Sequence, residues 1–302
     1  MHHFKKWIQP ALIMAIFWII AIVLWLRLDS PFYLFNFGYI GTALGIGIGV
    51  YESLPRKQKS IGRRLAQFLV GAYMLIFLGL MQRENMQIEG FFLYLLSGLF
   101  AGSVIHYLVA KIFGPLIFNR GWCGWACWTA MILDLLPYKQ NPVGRLPRWG
   151  FLRYTHFFLS LSAILILWFV FGYRLADQSS AELYWLIAGN LLYYAAGIAL
   201  AFALKDNRAF CKYVCPIPVL QKVTSRFALL KISSDQTRCT QCGACDRACP
   251  MDINVSAYAK EGKRVTSSEC IYCMECVNQC AFGALDSNLQ FDFGDCLIRY
   301  RK

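Results

Sequence analysis

Cys239-Thr-Gln-Cys242-Gly-Ala-Cys245-Asp-Arg-Ala-Cys249-Pro250, followed after a gap of twenty residues by Cys270-Ile-Tyr-Cys273-Met-Glu-Cys276-Val-Asn-Gln-Cys280, decides how the rest of this chain is read. Each half is the C-x2-C-x2-C-x3-C run that holds iron-sulfur clusters, and the run works in duplicate because the fourth cysteine of each half ligates the other half's cluster. Cys239, Cys242, Cys245 and Cys280 are therefore expected to hold one 4Fe-4S cluster, and Cys270, Cys273, Cys276 and Cys249 the second. Paired C-x2-C motifs also make zinc sites, but those need four ligands per ion in separated pairs, which a three-then-one spacing repeated twice does not offer. A disulfide framework fits worse, since so dense a set of thiols stays reduced only in a reducing compartment. The cysteine-rich segment is accordingly expected in the cytoplasm.

Over residues 231 to 290 the chain resembles the two-cluster bacterial ferredoxins, with all eight ligands present. The resemblance implies a small α+β domain. One position departs from it: Cys249 is followed by Pro250, but Cys280 by Ala281, which bears on the exit turn and not on ligation.

Working outward, the composition changes character. Hydrophobic residues make up 58% of the 302 residues and charged residues 16%, far from the balance of a soluble domain. Six apolar stretches, near 7–26, 33–53, 65–82, 90–112, 154–173 and 183–204, are long enough to cross about 30 Å of hydrocarbon as helices. The first follows Lys5 and Lys6 as a secretory signal would. It is longer than a signal core, however, and lacks a small-residue cleavage site before Arg27, so it reads as an anchor. The fold class expected is an α-helical membrane protein of about six transmembrane helices, followed by the small ferredoxin-type domain. The domains are 1–217 for the membrane part, 218–230 for an amphipathic basic connector lying along the membrane, and 231–302 for the clusters and tail.

Loop charge orients the helices. Lys5, Lys6, Arg56, Lys57, Lys59, Arg63, Arg64, Arg120, Lys139, Arg145, Arg148 and Arg153 fall on one side, against Arg27, Arg83 and Arg174 on the other. By the positive-inside rule both termini are cytoplasmic, in agreement with the redox argument. The net charge of +13 follows the same partition: residues 231–302 carry nine basic and nine acidic side chains, leaving 21 and 8 in the membrane part. That excess suits anionic lipid headgroups, and nothing further supports nucleic-acid binding.

In the second stretch Gly41, Gly45 and Gly49 recur at four-residue spacing, which lets a neighbouring helix approach closely, in the first instance a helix of the same bundle. After the fourth stretch comes Asn119-Arg120-Gly121-Trp122-Cys123-Gly124-Trp125-Ala126-Cys127, and after the sixth comes Asn207-Arg208-Ala209-Phe210-Cys211-Lys212-Tyr213-Val214-Cys215. Both read Asn-Arg-x-aromatic-Cys-x-aromatic-x-Cys. This is an internal repeat, each copy closing a helical hairpin, 65–127 or 154–215. Same-orientation halves are related by a pseudo-two-fold axis along the membrane normal, which would bring the two pairs face to face. Residues four apart lie on one face of a helix, so each pair can present both sulfurs together. Four soft thiolates suit a third iron-sulfur cluster or another thiophilic metal, with a dithiol-disulfide relay and simple apolar packing as the other readings. Arg120 and Arg208 would supply positive charge to such a site.

Paired C-x3-C motifs beside membrane spans, followed by a two-cluster domain, resemble the membrane polyferredoxins. That family includes the quinol-oxidising ferredoxin-type membrane subunit of periplasmic nitrate reductase systems, and related proteins that support nitrous oxide reductase or reduce copper for oxidase assembly. The resemblance covers residues 60 to 290 and is carried by Cys123, Cys127, Cys211, Cys215-Pro216 and the eight cluster cysteines; Trp128 stands where a proline would follow Cys127. It implies a multi-pass protein of the cytoplasmic (inner) membrane of a prokaryote, with a quinone or quinol and redox partner proteins.

His106 and His156 lie within or beside apolar stretches, where ionisable residues are functional candidates, and Asp134 follows in a short apolar helix. These three are candidates for a quinone or proton site, the alternative being histidines hydrogen-bonded between helices and a solvated acid. A b-type haem between the histidines is not expected. Cys296 stands alone near the tail as a free thiol. The leading function is electron transfer between the quinone pool or a membrane partner and cytoplasmic 4Fe-4S clusters, a quinol dehydrogenase subunit being one form of it. A thiol-dependent copper reductase or assembly factor, or a ferredoxin-docking subunit of a larger complex, are the alternatives.

Overall fold

The computed structural model describes residues 2–100, 102–138, 142, 144–174 and 179–292, with side chains from Trp7 onward. Lys139 and Cys296 lie outside the described residues.

The chain opens with two long helices, α1 (His2–Leu28) and α2 (Pro31–Ser53), joined by a tight reversal with Asp29 in a left-handed conformation. The glycines of α2 explain how closely the pair packs: a Cβ on Gly41 would stand 2.3 Å from Phe17 Cβ, and one on Gly49 2.1 Å from the Trp7 ring. A third glycine, Gly47, faces Ala66 of α3 (Lys59–Tyr73), so the small residues pack α2 between α1 and α3 inside one bundle, as expected. α3 runs on as a π-helical segment, Met74–Met81.

Among the described residues, five helices are long and apolar enough to cross a membrane: Trp7–Leu28, Pro31–Ser53, Arg56–Met81, Pro147–Phe169 and Ser180–Leu204. Their outward faces carry exposed Ile8, Leu12, Ile19, Phe158, Leu159, Leu191 and Leu192, a surface suited to hydrocarbon. The stretch expected as the fourth span, 90–112, is not one helix. It is α4 (Ile88–Leu96), a turn, and α5 (Gly102–His106), which continues through the π-helical Tyr107–Phe113 into α6 (Gly114–Phe118). The break lies at Gly98, whose left-handed φ of +68° lets Leu99 N–H reach back to the Tyr94 carbonyl at 3.0 Å and closes α4. Hydropathy over the whole stretch hides this single-residue stop.

Two further long helices, α9 (Leu152–Phe169) and α10 (Ser179–Leu204), form the second hairpin. Each hairpin ends alike. After the first come α7 (Gly121–Trp125) and α8 (Trp128–Leu133), and after the second α11 (Ala209–Tyr213) and α12 (Ile217–Ser225). The connector expected along the membrane is therefore largely α12, which packs against the α5–α6 segment and α9, with Gln221 fully buried.

The C-terminal domain has one antiparallel pair, β1 (Leu230–Ser234) with β2 (Leu285–Leu289), in the register Ile232 opposite Ser287. Between the strands lie α13 (Ala244–Ala248), α14 (Val255–Lys260) and α15 (Glu275–Gln279), and the core gathers Ile232, Met251, Ile253, Tyr258, Val265 and Leu285 around the cysteines. An α-helical membrane bundle is the architecture the composition implies, and the small α+β region that follows it is the one the ferredoxin resemblance implies.

Candidate functional site

Each expected ligand set of the C-terminal domain surrounds one cavity. Cys239, Cys242, Cys245 and Cys280 line the first and Cys249, Cys270, Cys273 and Cys276 the second, each with about 360 Å³ of empty space. The two loops wrap their cavities identically: Gln241 and Gly243 in one, Tyr272 and Met274 in the other, all have positive φ between 51° and 68°. Three non-glycine residues in that region hold local strain, which persists where surrounding structure enforces it. Backbone amides also point at sulfur in matching places, Ile253 N–H to Cys249 Sγ at 3.4 Å and Ala284 N–H to Cys280 Sγ at 3.3 Å. Four thiols about a closed cavity, with amide donors to sulfur, fit a cubane cluster, whose potential such donors tune. Cys242 is exposed, whereas the four cysteines of the second cavity are all buried.

The repeat builds a third cavity. Cys123, Cys127, Cys211 and Cys215 all line it, with about 600 Å³ of empty space, so the two motifs meet at one cavity. They do not meet as single helices. α7 closes with Ala126 N–H to the Trp122 carbonyl and α11 with Val214 N–H to the Phe210 carbonyl, after which the chain extends through Cys127 or Cys215 and a new helix starts. Each pair thus spans a helix break. Lys111 and Gln87 share the lining, α12 covers it with Ile217 and Pro218, and Cys123 Sγ–H donates to Gln221 Oε1 at 3.0 Å. No group of three or more His, Cys, Asp or Glu among the described residues is gathered around a single-ion position. Thiols spread around a cavity suit a polynuclear centre with one thiolate per iron.

The motif arginines both line the cysteine cavity, and each also grips a buried carboxylate. Arg208 grips Asp134 through Nε and Nη2, both at 2.6 Å, while Arg63 Nη1 reaches the same carboxylate at 2.9 Å. Burial alone would raise the Asp134 carboxyl, but these two guanidiniums override it and hold it at about 2. Asp134 is therefore a buried carboxylate held in an ion cluster rather than a solvated acid. Arg208 approaches Cys211 Sγ only at 3.9 Å, and its remaining bond goes to the Cys123 carbonyl at 3.0 Å. Arg120 pairs with Glu269 at 2.8 Å. Glu269 also receives Arg153 at 2.8 Å, Arg145 at 3.1 Å and Lys222 at 2.5 Å, four cations around a fully buried carboxylate just before Cys270. Burial opposes its ionisation; the four cations keep it far below the usual carboxylate range.

These contacts seat the second cavity on the third. Trp125 Nε1 donates to the Tyr272 carbonyl at 2.8 Å, and a Cβ on Gly124 would stand 2.3 Å from the Ile271 carbonyl oxygen. In the other copy Lys212 bridges Asp206 at 2.6 Å and Asp252 at 2.5 Å, all three buried. Cys123 packs against the core of the C-terminal domain.

The histidines separate. His156 Nδ1 lies 2.9 Å from the Val214 carbonyl and Nε2 3.4 Å from Tyr193 Oη, the interhelical role. His106 Nε2 is buried without a hydrogen-bond partner. His106 lines an apolar cavity that His156 does not. Glu269, Lys111, Gln221 and Asp252 escaped the sequence reading; the one signal was the number of basic residues near the repeat, which implies buried acids to pair them.

Comparison with known proteins agrees with this layout. The 4Fe-4S dicluster domain family matches residues 231–281, and the 4Fe-4S binding domain family matches twice, over 100–141 and 191–234, once for each copy of the repeat. The putative electron transport protein YccM of Escherichia coli is 28% identical over 189 residues, 57% of this chain, which spans about half, 52%, of YccM. The methylamine utilization ferredoxin-type protein MauN of Methylobacillus flagellatus is 28% identical over 64% of this chain and 73% of its own length. The ferredoxin-type protein NapH of Haemophilus influenzae is 25% identical over 63% and 68%. No solved structure matches. Paired family matches on the repeat, a dicluster match on the eight-cysteine stretch, apolar helices and these relatives together make the chain similar to the membrane polyferredoxins and support iron-sulfur electron transfer.

Proposed function

We propose that the chain carries electrons between a quinone of the bilayer and redox partners in the cytoplasm. The eight ferredoxin-type cysteines hold two 4Fe-4S clusters, and Cys123, Cys127, Cys211 and Cys215 hold a third iron-sulfur centre. Such clusters accept and donate single electrons. The observation that carries this reading is the convergence of all four C-x3-C cysteines on one cavity, with the Ile271–Cys273 backbone of the second cluster loop packed on Gly124 beside it. The residues around the path hold it rigid: Glu269, Asp252 and Glu275 join the C-terminal domain to Arg120, Arg145, Arg153, Lys212 and Arg63 of the membrane domain and to Lys222 of the connector. The exposure of Cys242 supports the first cavity as the solvent-facing end at which a partner protein exchanges electrons.

Iron and acid-labile sulfide analysis of anaerobically purified protein, with redox-titrated electron paramagnetic resonance, tests the reading. About twelve irons per chain are expected, one third of them lost when Cys123 and Cys211 are both replaced by Ala, with the two ferredoxin signals retained. About eight irons in both proteins, with unchanged turnover, would overturn the third centre. A single thiophilic ion in the same cavity would appear as copper or zinc in the metal analysis.

A further inference from the structure

A second cavity in the membrane domain, separate from the cysteines, has no role so far. It lies between α1, α2, α3 and the α5–α6 segment, with about 650 Å³ of empty space and a wall that includes Phe17, Phe37, Ile40, Met74, His106 and Trp122. Among its lining residues there is no lysine or arginine. Two polar atoms on that wall are buried without a partner, the Trp122 indole N–H and His106 Nε2, and the two rings stand 4.9 Å apart between centroids. An unpaired buried donor or ring nitrogen costs about 1–3 kcal/mol, and two in one apolar cavity call for something that bonds them. Both helical walls leave the α-helical path here: Met74 lies in the π-helical Met74–Met81 and Ala110 in Tyr107–Phe113. Such segments are rare and gather at functional sites.

Access and position narrow the occupant. Val109 lines the cavity and is 52% exposed on the apolar outer face, so the cavity reaches the lipid side. Trp122 directly precedes Cys123, and Lys111, which lines the cysteine cavity, sits 5.1 Å over the Trp122 ring. Trp122 thus divides the two cavities. A phospholipid headgroup brings a phosphate that would find no cation here, whereas a neutral planar headgroup with carbonyl oxygens at its edge fits apolar walls, the Trp122 N–H donor and the His106 ring in its Nε2–H tautomer.

We infer that this cavity receives the headgroup of a lipid-soluble quinone, held by hydrogen bonds to Trp122 Nε1 and His106 Nε2 and entering past Val109. The inference rests on the quinone reading above and gives it a place, against the back of the residue that carries Cys123 into the redox cavity. His156, whose ring nitrogens are both engaged, takes no part.

The test uses cluster-loaded protein in lipid nanodiscs and a short-chain benzoquinone, both plain and as a photoactivatable azido derivative. The label is expected in peptides covering residues 31–40 and 102–122. Trp122→Phe and His106→Leu should each raise the half-saturating quinone concentration about tenfold, as loss of one hydrogen bond would, with iron content and resonance signals unchanged. Val109→Trp, remote from the thiols, should block entry and remove labelling. Label in other peptides, with all three variants saturating like the wild type, would overturn the site while leaving the quinone reading intact. Labelling displaced by phospholipid but not by plain quinone would identify a lipid cavity and also overturn it. A wild-type protein that neither takes the label nor exchanges electrons with the quinone would sink the site and the quinone reading together.

Discussion

Gly124 and Lys212 occupy the same position in the two copies of the repeat and show how one residue breaks a symmetric design. Where the C-terminal domain presses on the first copy no side chain fits, and a methyl group would meet the Ile271 carbonyl at 2.3 Å. Over the second copy a buried lysine joins Asp206 to Asp252. Gly124→Ala should therefore loosen the C-terminal domain and slow electron passage to its clusters, read as a drop in turnover with all cluster signals present. Wild-type turnover would show that the loop yields without consequence. Lys111 is the cation in the cysteine cavity that has no ion-pair partner among the described residues. Lys111→Met should lower the potential of the centre there by on the order of 100 mV, the effect of a partly screened unit charge at close range. Redox titration of the third signal checks it, and an unchanged midpoint would remove Lys111 from the site's electrostatics.

Between elements, carboxylates organise what apolar packing alone would leave free to slide. Glu269, just before Cys270, draws Arg120 from the first motif, Arg145 from the following loop, Arg153 from α9 and Lys222 from α12. Asp134 joins α3 to the second motif through Arg63 and Arg208. Taking two or more charges out of water is costly, and the cost is offset only while the partners stay together. Glu269→Gln should leave several buried cations unbalanced and destabilise docking by about 3–5 kcal/mol. The measure is a lower unfolding temperature with protease cleavage near residues 226–230, both lessened when Arg153→Met is added. Equal stability of the single mutant and the wild type would contradict the latch. The broken fourth stretch belongs to this scale too: it brings Gln87 and Lys111 to the cysteine cavity, which a straight 90–112 helix would not require.

Across the whole molecule, the two copies of the motif line one cavity, and the ferredoxin-type domain packs on them through Gly124, Trp125 and Lys212. Loop charge predicts these motifs on the cytoplasmic side. Reporter fusions after Arg64 should be active inside and fusions after Arg83 outside. The reverse pattern would place the C-terminal clusters in an oxidising compartment and overturn the electron path.

The cluster ligands, the apolar helices and the repeat were legible in the residues alone, because metal ligation and membrane burial impose local spacing: three residues within one loop, four thiols within one run, or some twenty apolar positions. The pairing of the four motif cysteines followed from the repeat, since equal segments placed by equal hairpins must meet near their axis. Other features depended on the packed chain. A helix stop at Gly98 rests on one left-handed residue, too local for hydropathy to register. Asp134 as an ion-paired carboxylate, Glu269 as a hub for four cations and Gly124 as a contact are made by partners 47 to 149 positions away, and nothing in a residue's neighbours along the chain names a partner so distant. His106 and His156 look alike in sequence. Only the fold, by giving one ring two partners and leaving a nitrogen of the other bare in an apolar cavity, tells them apart.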